Sequence, residues 1–171
     1  MIRKALKEDI LDIIKIYEKV TGSRDNLTGW VQGIYPTETT ALIALEKEEL
    51  FVYVDDRDGR VRGSCILNKR QNSAYALGEW RYPASEAEVM VLHTITVDPG
   101  YGRNGVGDAL IDFYEEYAKR SGCNVLRFNA NINNIPARKL YEKHGCLEAG
   151  VIYAAFNGIP EAHYVLYEKK L

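Results

Sequence analysis

The sequence predicts an α/β fold, α+β by some schemes: a mixed, mostly antiparallel sheet of about seven strands, with a central parallel strand–helix–strand crossover and about four helices. Three observations carry this expectation. The strongest strand pattern in the chain, Val89–Val97, is followed by an amphipathic helical stretch and then by a second strand, Val125–Asn129. A helix joining two strands of one sheet makes them parallel neighbours. The early and late parts of the chain read as hairpins, which pair antiparallel. The size and composition, 171 residues with 46% hydrophobic and 27% charged, suit one domain over residues 1–171 with a core of its own.

The elements follow in order. Ile2–Lys4 reads as a short strand. Ile10, Ile13, Ile14 and Tyr17 fall on one helical face, and Gly22 ends that helix. A loop with Trp30, Tyr35 and Pro36 follows, and Thr37 is placed to cap a second helix over Glu38–Glu48. Leu50–Val54 and the alternating run from Val61 to Leu67 form a hairpin around Asp55–Gly59. Asn68–Ala87 shows no periodicity and is expected to be a functional lid. After Val89–Val97, the residues Val106, Ala109, Leu110, Phe113 and Tyr117 mark the apolar face of the crossover helix. Glu115/Lys119 and Glu116/Arg120 are spaced to pair on its outer face. Asn134 and Pro136 open a helix that runs through His144. Leu147–Phe156 and Ala162–Tyr167 close the sheet, joined through Asn157-Gly158.

Composition narrows the function classes. Lys plus Arg is 22 against 24 Asp plus Glu, a formal charge of −2, and nothing there demands the basic face of a nucleic-acid binder. No apolar run approaches the ~20 residues of a membrane helix, and the first ten residues meet charge too early for a signal peptide. Cys65, Cys123 and Cys146 are far apart and form no CxxC, so reduced thiols and a cytoplasmic location are expected. No His/Cys/Asp/Glu cluster has metal-ligand spacing, and no metal is expected. Tyrosine is frequent, 12 against 4 phenylalanines, and suits half-wet clefts where a ring packs and a hydroxyl stays solvated.

The chemistry-bearing stretch is Gly102-Arg103-Asn104-Gly105-Val106-Gly107, between a strand and a helix. A helix N-terminus presents unpaired N–H groups and a positive dipole end, which is where phosphates bind. Glycines allow the backbone to approach an anion, and Arg103 adds a charged donor. Gly100, Gly102 and Gly105 also satisfy GxGxxG, but no acidic residue stands on the second strand to hold a ribose, which argues against NAD.

The run Val97-Asp98-Pro99-Gly100-Tyr101-Gly102-Arg103-Asn104-Gly105-Val106-Gly107 resembles motif A of the GNAT superfamily of acyl-CoA N-acyltransferases, V-x-P-x-Y-[QR]-x-x-G-x-[GA]. Asn134-Ile-Pro-Ala-Arg-Lys-Leu-Tyr141-Glu-Lys-His-Gly145 resembles motif B, N-x-x-A-x-x-L-Y-x-x-x-G. The order and separation of the two motifs also fit, and the resemblance covers nearly the whole chain. Two positions depart: Gly102 stands for the usual Gln or Arg, with Arg103 displaced by one, and Cys146 for the usual aromatic.

The resemblance implies an acetyl-CoA-dependent N-acetyltransferase acting on the primary amine of a small-molecule or amino-acid-like acceptor. Transfer would be direct, with no cysteine at the matched positions. It implies that amides from Arg103, Asn104, Gly105, Val106, Gly107 and Asp108 hold the cofactor pyrophosphate. Ile95, Thr96 and Val97 would face the pantetheine arm, and Asn134 would bond it. Tyr141 matches the family's general acid. Two candidates stand for the base: His93, which shares strand parity with Val91, Ile95 and Val97, and Glu88 at the mouth of the strand. Trp30, Tyr35, Tyr75, Trp80 and Tyr82 are expected to wall the acceptor site. No nucleic-acid or membrane partner is expected, and a homodimer would form through Leu147–Tyr167. The alternative function is a non-catalytic acyl-CoA-binding regulatory module on the same fold.

Overall fold

The computed structural model describes residues 1–171. Seven strands form one sheet: β1 (Ile2–Lys4), β2 (Leu50–Val54), β3 (Val61–Asn68), β4 (Val89–Val97), β5 (Val125–Asn131), β6 (Leu147–Phe156) and β7 (Ile159–Lys170). Four α-helices accompany them: α1 (Ile10–Thr21), α2 (Glu38–Glu46), α3 (Val106–Arg120) and α4 (Ile135–Lys143). The strand order is β1-β2-β3-β4-β5-β7-β6. Every pairing is antiparallel except β4 with β5, across which α3 makes the crossover. No helix is long and apolar enough to cross a membrane.

Local chemistry sets the element ends. The Thr37 hydroxyl accepts from the Thr40 N–H, and the Thr40 hydroxyl accepts from the Thr37 N–H at 3.0 Å, closing the first turn of α2. That helix stops at Glu46, two residues before the expected end, because Glu48 adopts a left-handed φ of 55°. The β6–β7 turn places Asn157 and Gly158 at φ 55° and 78°, the double left-handed pair that a two-residue hairpin requires. β7 extends well beyond the expected Ala162–Tyr167 at both ends.

The core has three parts. Phe51, Leu67, Met90, Leu92, Phe128, Tyr141 and Tyr167 meet the inner face of α3 and α4. The expected face of α3 is rotated by one residue. Val106, Leu110, Ile111, Tyr114 and Ala118 are buried, while Phe113 and Tyr117 lie at the side, stacked on each other and tilted against Phe51. On the other face of the sheet, Ile13, Tyr17, Ala41, Leu50 and Ile66 pack under α1 and α2. The expected outer-face pairs on α3 do not form; Glu115 bonds Lys169 on β7 instead.

The third part corrects the expected lid. Asn68–Ala87 carries short 3-10 turns at Ser73–Leu77 and Glu86–Glu88, and its aromatics fasten it to the sheet. Tyr75 is buried against Val89, Val91, Val125 and Leu166, and the Trp80 indole N–H donates to the Tyr75 carbonyl at 2.7 Å. Glu168, fully buried, accepts from the N–H of Arg81 and of Tyr82. The Arg127 guanidinium lies over the Trp80 ring and donates to the Tyr82 carbonyl. This segment is a fixed cover over one face, which periodicity cannot reveal because its order comes from buried side-chain bonds.

Candidate active site

The β4–β5 ladder is short. It pairs Val89–Val91 with Val125–Arg127 and ends there. Beyond it the strands part, and Leu92–Ile95 face Phe128–Asn131 across a cavity of about 110 Å³. The break coincides with a bulge in β4. Ser64 pairs with Thr96 and Ile66 with His93, so two residues, Thr94 and Ile95, oppose the single Cys65. Thr94 takes a left-handed φ of 48°. Its hydroxyl is bonded to the Tyr35 hydroxyl, which fastens the α1–α2 loop over the bulge.

The bulge overturns one sequence expectation. Met90 and Leu92 face the α3 side, while Val89 and Val91 face the other. After the extra residue, Ile95 and Val97 pack on the α3 side as well. His93 therefore does not share a face with Ile95 and Val97. It reaches the same cavity only because the strands have separated.

A larger cleft, about 630 Å³, opens on the α3 side. Its walls are the α1–α2 loop, Ile95–Val97, the glycine loop and the first turns of α3 and α4. In the glycine loop Arg103 and Gly105 hold left-handed φ of 65° and 75°. The N–H of Ala109 closes on the Gly105 carbonyl at 2.9 Å, and the six amides before it, Arg103 to Asp108, donate to no protein acceptor. Successive free N–H groups at a helix start make an anion cradle. The Arg103 side chain stands exposed at its edge. The Asn104 side chain turns back onto the carbonyls of Tyr101 and Gly102 and does not line the cleft. Asp108 bonds Lys143 and His144, which hold its carboxyl below the usual range and tie the start of α3 to the end of α4.

The two cavities meet at Thr28, Trp30, Ile95, Asn134, Ala137 and Tyr141. The Tyr141 ring is wedged edge-on to Phe128 and Tyr167. Its burial holds the phenol above its ordinary value, so the hydroxyl keeps its proton. Asn134 caps α4 through its Oδ1, 3.3 Å from the Ala137 nitrogen, and leaves Nδ2 free beside both cavities.

His93 is held from behind. Its Nε2 lies 3.0 Å from Asn68 Oδ1. The same oxygen accepts from the Arg70 N–H, while Asn68 Nδ2 donates to Glu49. Because the Asn68 orientation is set by these two bonds, His93 Nε2 must carry the hydrogen, and Nδ1 holds the lone pair. Burial first, then the Arg70 charge, lowers its pKa to about 4, so the ring is neutral at pH 7.

The other expected site residues divide. Trp30 and Tyr35 line the small cavity, edge to face at 5.9 Å between centroids. Tyr75, Trp80 and Tyr82 do not; they belong to the cover described above. Glu88 is also not brought to either cavity. It sits at the opposite end of β4, where its carboxylate accepts from the Ser85 N–H and hydroxyl as part of a capping box. Ile95, Thr96 and Val97 line the large cleft, with the Thr96 hydroxyl bonded to Ser64. Sequence reasoning missed Asn129, Asn131 and Asn157, which line the small cavity. The first two lie at the carboxyl end of β5, just past its parallel pairing with β4, where such sheets place ligands.

A protein-family model described as Acetyltransferase (GNAT) family matches residues 14–146. The chain belongs to the GNAT acetyltransferase family. An uncharacterized N-acetyltransferase of Methanocaldococcus jannaschii is 25% identical over 157 residues, 88% of this chain. The chain spans 62% of that protein's length. Among solved structures, an N-acetyltransferase from Staphylococcus aureus Mu50 superposes with a TM-score of 0.76 at 22% identity, covering 99% of this chain and 97% of the other. The yncA protein of Salmonella typhimurium, solved with its cofactor acetyl-CoA, gives 0.73 at 17% identity over 100% and 93%. Ribosomal-protein-alanine N-acetyltransferase from Brucella melitensis gives 0.75 at 18% identity over 100% and 99%. At these identities the likeness is one of fold.

GNAT acetyltransferases use acetyl-CoA. The residues of this GNAT chain fit such a group on their own terms. The free amides suit a diphosphate, and the cleft continues from them to Tyr141. No thiol lines either cavity; Cys65, Cys123 and Cys146 are buried elsewhere, and burial pushes Cys65 up to about 12.

Proposed function

We propose that this chain is an acetyl-CoA-dependent N-acetyltransferase that acetylates the primary amine of a small-molecule or amino-acid-like acceptor directly, within a ternary complex. The observation that carries the reading is the row of free amides from Arg103 to Asp108, at the mouth of a cleft whose inner end is walled by Ile95 and Tyr141.

Those amides would hold the pyrophosphate, helped by the positive end of α3. The backbone of Ile95 to Val97 and the Asn134 Nδ2 would hold the arm. Bound acetyl-CoA supplies an activated acyl group as a thioester. The Ile95 N–H would polarise its carbonyl, as a donor toward the charge that develops there. Tyr141, which keeps its proton, gives it to the departing thiolate. His93 Nδ1 receives the proton of the amine. The ring is neutral at pH 7 and so is free to accept a proton; the amine enters without its ammonium proton, and His93 takes the one released as the new bond forms. Without a thiol along the cleft, no covalent acyl-enzyme step is needed.

The test is release of free thiol from acetyl-CoA across a broad amine panel, with calorimetric binding of acetyl-CoA measured in parallel. Turnover with an amine supports the reading. Tight binding without turnover across the panel favours the binding-module alternative and overturns it.

A further inference from the structure

The small cavity carries no formal charge. Among its sixteen lining residues there is no Asp, Glu, Lys or Arg, and its one histidine is neutral at pH 7. Its polar side chains are neutral, threonine and tyrosine hydroxyls together with four asparagines, Asn129, Asn131, Asn134 and Asn157. Three of them are pinned at one end only. Asn129 Nδ2 donates to the Tyr75 hydroxyl at 3.0 Å, Asn131 Oδ1 accepts from the Asn133 N–H, and Asn134 Oδ1 accepts from the Ala137 N–H. The other end of each amide, one oxygen and two NH₂ groups, has no protein partner. The nearest charges behind His93, Glu49 and Arg70, are paired with each other.

Resting on the transferase reading above, we propose that the acceptor is a short primary amine whose neighbouring polar group is uncharged, an amide or a hydroxyl rather than a carboxylate or a second ammonium. A carboxylate entering this cavity would lose water and meet no cation. A diamine would bring a second positive charge to a site without an anion. Either cost falls on the wrong substrate alone. An amide or hydroxyl would instead engage the free ends of Asn129, Asn131 and Asn134, whose mixed donor and acceptor character matches it. At about 110 Å³ the cavity is small, well below the roughly 300–1,000 Å³ of a typical small-molecule pocket. The group it admits is therefore a few heavy atoms long.

The test compares alaninamide and 1-amino-2-propanol with alanine and 1,3-diaminopropane, using the full chain and acetyl-CoA. Each rate is expressed per concentration of neutral amine, which removes differences in amine pKa. The amide and the amino alcohol are expected to exceed the other two in kcat/KM on the order of tenfold or more. Asn129→Asp and, separately, Asn157→Asp are each expected to shift the preference toward the diamine by about fivefold or more, with folding checked by circular dichroism. Equal or better turnover of alanine or the diamine by the unmodified chain overturns this inference and leaves the transferase reading standing. So does an unchanged preference in both variants. No turnover of any amine, with acetyl-CoA still bound in calorimetry, overturns the transferase reading itself and this inference with it.

Discussion

His93 donates its Nε2 hydrogen to Asn68 Oδ1 across 3.0 Å, and that bond decides which ring nitrogen is free to take a proton. Asn68 cannot turn over to reverse the relation, because its Nδ2 is already donated to Glu49 and its oxygen also accepts from Arg70 N–H. Asn68 thus acts on the reaction through His93, as a positioning residue.

Asn68→Asp tests this through the pH profile. A carboxylate beside the imidazole favours imidazolium, so the His93 pKa rises from about 4 toward neutrality. The profile of kcat/KM then gains an acid limb near pH 6–7 that the unmodified chain lacks. Asn68→Ala leaves the tautomer unset, and kcat is expected to fall on the order of tenfold with acetyl-CoA affinity unchanged. Steady-state rates from pH 5 to 9 decide it; an identical profile for Asn68→Asp removes the role.

The same histidine shapes stability. Its folded pKa, about 4, lies below the ordinary 6.5, so between these values the unfolded chain binds more protons than the folded one. Stability from this group is complete above pH 6.5 and is lost as pH falls toward 4. Its full size is on the order of 3 kcal/mol. His93→Gln is therefore expected to flatten the fall in urea-unfolding free energy between pH 6.5 and 4.5. Parallel curves for the two proteins would refute the assignment.

Tyr141→Phe removes one hydroxyl and keeps the ring packed between Phe128 and Tyr167. Turnover is expected to drop roughly 10²- to 10⁴-fold, the usual worth of a positioned acid, while acetyl-CoA binds as before. The packing also limits the structural cost to a small change in Tm. Unimpaired turnover by the phenylalanine variant with an established amine would show that the acid lies elsewhere.

How much of this was legible beforehand depended on how local the cause was. The glycine loop could be read directly, since its glycines, Arg103 and the following helix are contiguous in the chain. Asn134 as a cap and Asn157-Gly158 as a turn were readable for the same reason. The bulge at Thr94 was not, because Val89–Val97 reads as one unbroken run of strand formers and the extra residue is set by pairing with β3. The face of His93 was misread as a result. Asn129 and Asn131 gain significance only where β4 and β5 separate, a property of two strands together. Glu88 looked like a base beside a strand, yet its carboxylate is occupied by Ser85 three residues earlier.

The approach of the α1–α2 loop to the sheet gives a further prediction. Gly29 has φ +75°, and a Cβ there would lie 2.4 Å from Asn131 Nδ2. Gly29→Ala must therefore move either the loop bearing Thr28 and Trp30 or the Asn131 side chain. The expected result is a KM for the amine raised several-fold, with the amides of Arg103 to Asp108, which belong to a different loop, still binding inorganic pyrophosphate as before. Initial-rate kinetics and calorimetry separate the two; an unchanged amine KM would mean that the loop does not position the acceptor.

The cover over the opposite face makes the last prediction, because it depends on charge buried away from both cavities. Arg127 and Glu168 stand opposite each other in the β5–β7 register. Glu168 has no exposed surface and holds the backbone of Arg81 and Tyr82, while Arg127 holds the Tyr82 carbonyl and Gln71. The two side chains thus grip the same segment from neighbouring strands. Glu168→Gln keeps the shape and part of the bonding but leaves the Arg127 charge without its nearby anion. The two charges form no direct ion pair, so the loss comes from weaker hydrogen bonds to the Arg81 and Tyr82 backbone and is expected at about 1.5–3 kcal/mol, the range for bonds to a charged group. Arg127→Met in the same chain removes the stranded charge, so the double variant is expected to be more stable than Glu168→Gln alone. Urea unfolding of the three proteins measures this. A double variant less stable than Glu168→Gln would show that Arg127 contributes through its hydrogen bonds to Gln71 and Tyr82 rather than through its charge.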